Sequence, residues 1–275
     1  MSLAQSPLAR RNDVRAALAG YLLALADDEL VLGHRHSEWT GFAPDIESDV
    51  ALSSVAQEEI GHARLFYERA GDLLGGTPDD LAYGRTSEAF RNAVLVERPN
   101  GDWGFTIVRM FLYDRADAVR LDALAGGPVE PLADLAKTLR REEKYHLLYG
   151  EQWLRRLAGA TGSSKARVQE ALDGAWAEAE SLFDPVEGQD GLVQAGVLPT
   201  GPDAQRGMWR GQVGVILEAS GLRAPDDPRL REGRPGRADG RAQDLNGRGG
   251  RHTDDLRVLL EEMTSVWRTE PGAKW

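Results

Sequence analysis

The sequence predicts an all-α protein, a four-helix bundle with additional C-terminal helices, on three observations. Apolar residues recur at intervals of three and four along several long segments, period-2 alternation is almost absent, and Gly or Pro clusters interrupt the periodic segments at helix-length intervals. "AVLVERPNG", residues 93–101, is the single strand-like fragment. The 275 residues, 41% hydrophobic, suffice for a sizeable core and are read as one domain over 1–275. Within it the core bundle spans about 12–160, the additional helices about 163–270, and a mobile Gly/Arg-rich loop about 222–251.

The first helix runs from about Asn12 to His34. "HSEWTGFAPDIESD", with Gly41 and Pro44 as breakers, then crosses to a second helix that starts near Ser48 and stops at the glycines of "LLGGTPDD". A third covers about Trp103–Ala125 and is closed by "GGP", and a fourth runs from about Pro131 to Ala160. "SSKARVQEALDGAWAEAESLF" is a fifth, capped by Ser163 or Ser164, and "GPDAQRGMWRGQVGVILEASG" a sixth. "HTDDLRVLLEEMTSVWR", capped by Thr253, is the last.

Charge and composition exclude several functions. A formal charge of -11 and a pI near 5.0 oppose nucleic acid or an anionic membrane as the main partner, since both would repel this surface on average. There is no cysteine, which removes disulfides, thiolate nucleophiles, iron-sulfur clusters and Cys-type zinc sites. The run Ala9–Glu29 has the charge and apolar content of a leader. Leu18, Leu22 and Leu25 nevertheless keep helical spacing, which Leu32 continues past the acidic cluster, so the run reads as part of an amphipathic helix and the protein as cytoplasmic.

Ionisable groups interrupt the apolar seams. On the second helix Leu52, Val55, Glu59, His62 and Phe66 share a face, and on the fourth Leu132, Leu135, Leu139, Glu143, His146 and Trp153 do. The first helix sets Glu29 on the line of Leu18, Leu22, Leu25 and Leu32. The third sets Asp114 on the line of Ile107, Met110 and Leu121. Four inward carboxylates, two followed one turn later by His, need compensation in a core, because an isolated buried carboxylate costs several kcal/mol.

Two divalent metal ions would supply that compensation. One carboxylate from each of two helices and Glu-x-x-His from each of the other two is the ligand pattern of ferritin-like di-iron and di-manganese bundles. Candidate metal ligands are therefore Glu29, Glu59, His62, Asp114, Glu143 and His146, and no catalytic side chain is singled out beyond them. Asp28, Glu58, Asp117 and Glu142 compete with their neighbours, since each residue turns the helix by about 100°. The competing reading is a metal-free polar network in which Arg64, Arg109 and Arg140 satisfy Glu59 and Glu143.

Other residues take weaker readings. His34 and His36 in "GHRHSEW" read as a polar anchor of the connection, and His252 as a surface or capping residue. Asn100-Gly101 reads as a turn. Trp39, Trp103, Trp153, Trp176, Trp209 and Trp267 read mainly as core, with a partner-facing surface as the alternative. The Gly/Arg-rich loop reads as solvated, with ordering on an anionic partner as its alternative.

The stretches "LVLGHRHSEWTGFAPDIESDVALSSVAQEEIGHAR", "LVERPNGDWGFTIVRMFLYDRADAV", "EEKYHLLYGEQWLRRL" and "GGRHTDDLRVLLEEM" resemble the C subunits of bacterial phenylacetyl-CoA 1,2-epoxidase, a multicomponent monooxygenase of aerobic phenylacetate catabolism. The resemblance implies a ferritin-like fold and a structural, non-catalytic role beside a homologous A subunit that carries the working di-iron centre. It also implies further members of the complex as partners; a homo-oligomer stays open. The usual C subunit has lost part of the ligand set, whereas the six residues here look complete. The alternative is thus an oxygen-activating di-iron or di-manganese protein in its own right.

Overall fold

A computed structural model describes residue 3, residues 11–225 and residues 245–270. Among these the backbone forms helices and short 3-10 turns, joined by loops, with no strand. In chain order the helices are α1 (Asn12–Ser37), α2 (Ile46–Leu74), α3 (Pro78–Tyr83), α4 (Val94–Glu97), α5 (Trp103–Ala125), α6 (Glu130–Ala160) and α7 (Gly162–Glu180). α8 (Gln189–Gln194), α9 (Pro202–Ala219), α10 (Asp254–Met263) and α11 (Ser265–Thr269) complete the set. The all-α class expected from the periodicity is the one observed, and it is consistent with the ferritin-like bundle that the ligand pattern and the resemblance implied.

The chain forms two compact units. One comprises Met1–Pro99, Val186–Leu192 and Leu245–Trp275, the other Asn100–Pro185 and Val193–Asp244. The first is built on the pairing of α1 with α2, the second on the pairing of α5 with α6, against which α7 and α9 also pack.

In the first unit, Asp45 caps α2 by accepting from the Ser48 amide at 2.8 Å. α2 ends at Gly75 and Gly76, whose φ values of 85° and 92° lie where glycine alone is unstrained. The line Leu18, Leu22, Leu25 and Leu32 on α1 is buried, as are Leu52, Val55 and Phe66 on α2. Gly33 sits where the two helices approach closely. A Cβ there would lie 2.8 Å from Ile60 Cγ1 and 3.1 Å from the Ala56 carbonyl oxygen.

The second unit begins with the turn at Gly101, φ 60°. Asp102 then caps α5 by accepting from the Phe105 amide at 2.8 Å. Ile107, Met110 and Leu121 of α5 and Leu132, Leu135 and Leu139 of α6 are buried. Trp209 of α9 is fully buried, stacks at 5.1 Å on Trp176 and donates its indole N–H to the Leu112 carbonyl at 3.0 Å. These two tryptophans are core. Trp103 and Trp153 are half-buried and meet edge-on at 5.4 Å.

Three local expectations are corrected. Residues 93–101 form no strand; Val94–Glu97 is one helical turn, its Leu95 and Val96 buried. A lone strand leaves its backbone polar groups unmatched, and here the Ala93 amide instead donates to Asp28 Oδ1 at 2.7 Å. The cap of α7 is Thr161, whose hydroxyl accepts from the Ser164 amide at 3.1 Å, so the helix starts before the two serines. Of the loop expected over 222–251, residues 226–244 lie outside the described residues, but within 245–251 the chain is ordered by local contacts, with Gly247 and Arg248 buried. Asn246 pairs with Arg251, and Gly247 lies so close to the Asn92 carbonyl that no side chain fits between them.

Candidate metal centre

Within the first unit, α1 and α2 bring Glu29, Glu59 and His62 into the core, each at most 2% exposed. His62 Nδ1 lies 3.6 Å from Glu29 Oε2. Glu59 and His62 are three residues apart on one face of α2, as the seam predicts.

Successive residues of α1 point three ways. Asp27 Oδ1 accepts from the Tyr67 hydroxyl at 2.6 Å, and Asp27 also pairs with Arg85. Asp28 takes Arg248 through both oxygens, at 3.0 and 2.7 Å. Glu29 faces His62. Burial and the neighbouring carboxylate of Asp27 push the Tyr67 phenol well above its usual range.

The second unit presents the matching trio. Asp114 of α5 is 1% exposed, and Glu143 and His146 of α6 are 3% and 1% exposed. His146 Nδ1 lies 3.1 Å from Glu143 Oε1. At Gly150, one turn beyond, α6 packs against α5 at ordinary contact distance: a Cβ there would stand 3.5 Å from Asp114 Oδ2 and 3.6 Å from Phe111 Cα. The competing neighbours differ: Glu142 is exposed and Glu58 half-buried, while the buried Asp117 pairs with Arg120 at 3.2 Å.

Two of the arginines offered as alternative partners lie elsewhere. Arg64 pairs with Glu68 at 3.4 Å on the surface, and Arg140 with Asp122 at 2.6 Å. Arg109 is buried and donates to Asn100 Oδ1.

Buried carboxylates and imidazoles, with no thiolate available, form a donor set suited to iron or manganese. Each helix pair supplies two carboxylates and one imidazole, half of a di-metal ligand set. The residues present therefore fit the group that the fold class implies.

Two histidines depart from their expected roles. His36, read as an anchor of the connection, is fully buried, with Nδ1 2.9 Å from Glu59 Oε2. The signal was available, because His36 follows Glu29 by seven residues, two helical turns, and so returns to the same face. His252, read as a surface or capping residue, has its ring buried. Nδ1 lies 2.8 Å from Glu97 Oε2, and Nε2 3.1 Å from the Phe90 carbonyl. Thr253 caps α10 as expected, accepting from the Asp255 amide at 3.2 Å.

The family model for "Phenylacetic acid catabolic protein" matches residues 1–275. The chain belongs to this family. It is similar to the C subunit of 1,2-phenylacetyl-CoA epoxidase from Escherichia coli (strain K12), with 32% identity over 259 residues, 94% of this chain and 99% of that protein. It is also similar to the A subunit of the same enzyme and organism, at 26% identity over 161 residues, 55% of this chain and 52% of that protein. Among the described residues, no helix of this family member is long and apolar enough to cross a membrane.

Proposed function

We propose that this chain is the non-catalytic partner in a phenylacetyl-CoA 1,2-epoxidase, where it pairs in the cytoplasm with further members of the complex and with a homologous, catalytic A subunit. The observation that carries this reading is the difference in coverage. The likeness to the C subunit runs nearly end to end in both chains, whereas the likeness to the A subunit spans about half of each. A partner subunit must reproduce an entire docking surface, so agreement over the full length weighs more than agreement over a shared core. The acidic charge of -11 fits a protein partner rather than a nucleic acid.

The second reading rests on the two trios. Glu29, Glu59 and His62 with Asp114, Glu143 and His146, all buried, are proposed as the ligands of a di-iron or di-manganese centre. Carboxylates suit this role because they accept only and take up one or two cations through their two oxygens. The histidines, each three residues after a Glu, would close the ligand sphere from the same helix face. The apolar seam above and below each trio excludes water from it. A metal pair held there would supply the redox capacity for oxygen activation.

One experiment separates the readings. Purified alone, a partner subunit is stable without metal, and when mixed with the A subunit it elutes as one complex that supports epoxidation of phenylacetyl-CoA. Failure to form that complex overturns the first reading. A metal-binding protein carries roughly two ions per chain, and Glu59→Ala combined with Glu143→Ala removes them; unchanged metal content in that variant overturns the second.

A further inference from the structure

We propose that His36 is a positioning residue for the metal site: from the last turn of α1 it fixes the carboxylate of Glu59 for ligation. The inference rests on the reading of Glu59 as a ligand and adds a residue to it.

The contact is between two side chains that water does not reach, His36 at 0% and Glu59 at 1% exposure, with Nδ1 2.9 Å from Oε2. An ionised carboxylate has no hydrogen to give, so the ring nitrogen is the donor. Glutamate turns about three side-chain bonds, and a ligand that rotates must be ordered before it can bind a cation. A donor held on a second helix does that ordering in advance, which is how outer partners of metal ligands act.

The backbone is built for this reach. Gly33, one turn before His36, lets α1 approach α2 so closely that a Cβ would stand 3.2 Å from Glu59 Cβ. His36, three residues on, returns to that side of the helix. By contrast His34, two residues earlier, is only half-buried and turns off this face.

A plain helix-to-helix clamp would use the same hydrogen bond, so the test must read the metal as well as the fold. The full-length protein is titrated with Co(II), with calorimetry for affinity and the visible ligand-field bands for geometry, and thermal unfolding is followed without metal. Glu59→Ala is expected to lose a bound ion. His36→Leu, which fills the space without a donor, is expected to bind Co(II) about 10- to 100-fold more weakly with altered bands. His36→Asn, whose amide N–H sits at the δ position, is expected to restore most of the affinity. Should His36→Leu fail to fold, His36→Gln replaces it; its N–H is displaced by one bond, and it is expected to bind more weakly than His36→Asn.

Wild-type affinity and bands in the donor-less variant, or an effect on thermal stability alone, overturn the role of His36 while leaving the ligand reading intact. A wild-type protein that takes up no Co(II) overturns both.

Discussion

Arg248 and Asp28, 220 residues apart in sequence, form a buried two-point ion pair, Nη1 to Oδ1 at 3.0 Å and Nη2 to Oδ2 at 2.7 Å. The guanidinium also donates to the Arg91 carbonyl at 2.8 Å, and the carboxylate accepts from the Ala93 amide at 2.7 Å. One contact thus ties the segment after residue 245 to the middle of α1 and to the start of α4.

Breaking a buried pair on one side leaves the other charge unmatched, which costs about 3–5 kcal/mol. Arg248→Met is therefore expected to lower the urea midpoint by that equivalent. The double variant Arg248→Met with Asp28→Leu is expected to lose less than the sum of the two single losses, because it strands no charge. Additive losses would mean that the two residues act independently.

Gly33 and Gly61 make a controlled comparison on the same helix pair. Gly33→Ala forces a methyl against Ile60, the Ala56 carbonyl and Glu59, and is expected to destabilise by about 1–3 kcal/mol. At Gly61 a Cβ meets nothing within 4 Å, so Gly61→Ala is expected to stabilise by about 0.5–1 kcal/mol through helix propensity. Thermal unfolding of both variants checks the pair of opposite signs.

Tyr67 sets an alkaline limit. Its phenol is raised in the folded protein, first by burial and then by Asp27. In the unfolded chain it ionises near about 10. The folded state therefore gains its full benefit below that pH and loses it as pH rises from there toward the folded value. Urea unfolding across this range is expected to show stability falling with pH, and Tyr67→Phe to flatten the fall. A phenolate absorbance titration that counts every tyrosine as ionised near 10 in the native protein would contradict this.

Much of the fold was legible because helical periodicity is local. The third helix, α5, was bounded at Trp103 and Ala125 from its turn signals alone. The seams of α1, α2, α5 and α6 are buried where the three-four spacing placed them, with Trp153 only half-buried at the far end of its line. Thr161 escaped because Ser163 and Ser164 offer the same capping chemistry two and three residues on, and composition does not choose among them. Val94–Glu97 misled because a short apolar run serves a strand or a buried turn equally well.

What the sequence determined by itself was the helical class, the inward faces, and the residue types suited to hold a cation; each follows from neighbours within one or two turns of the same helix. The tertiary structure decided which acid meets which partner. Asp27, Asp28 and Glu29 are adjacent and all buried, yet Tyr67 claims the first, Arg248 the second, and the third faces His62. It likewise turned His36 from a connection residue into the companion of Glu59. These pairings join atoms from separate helices and distant segments, and their selection depends on close packing, as at the glycine contact of α1 with α2, which no repeat along the chain encodes.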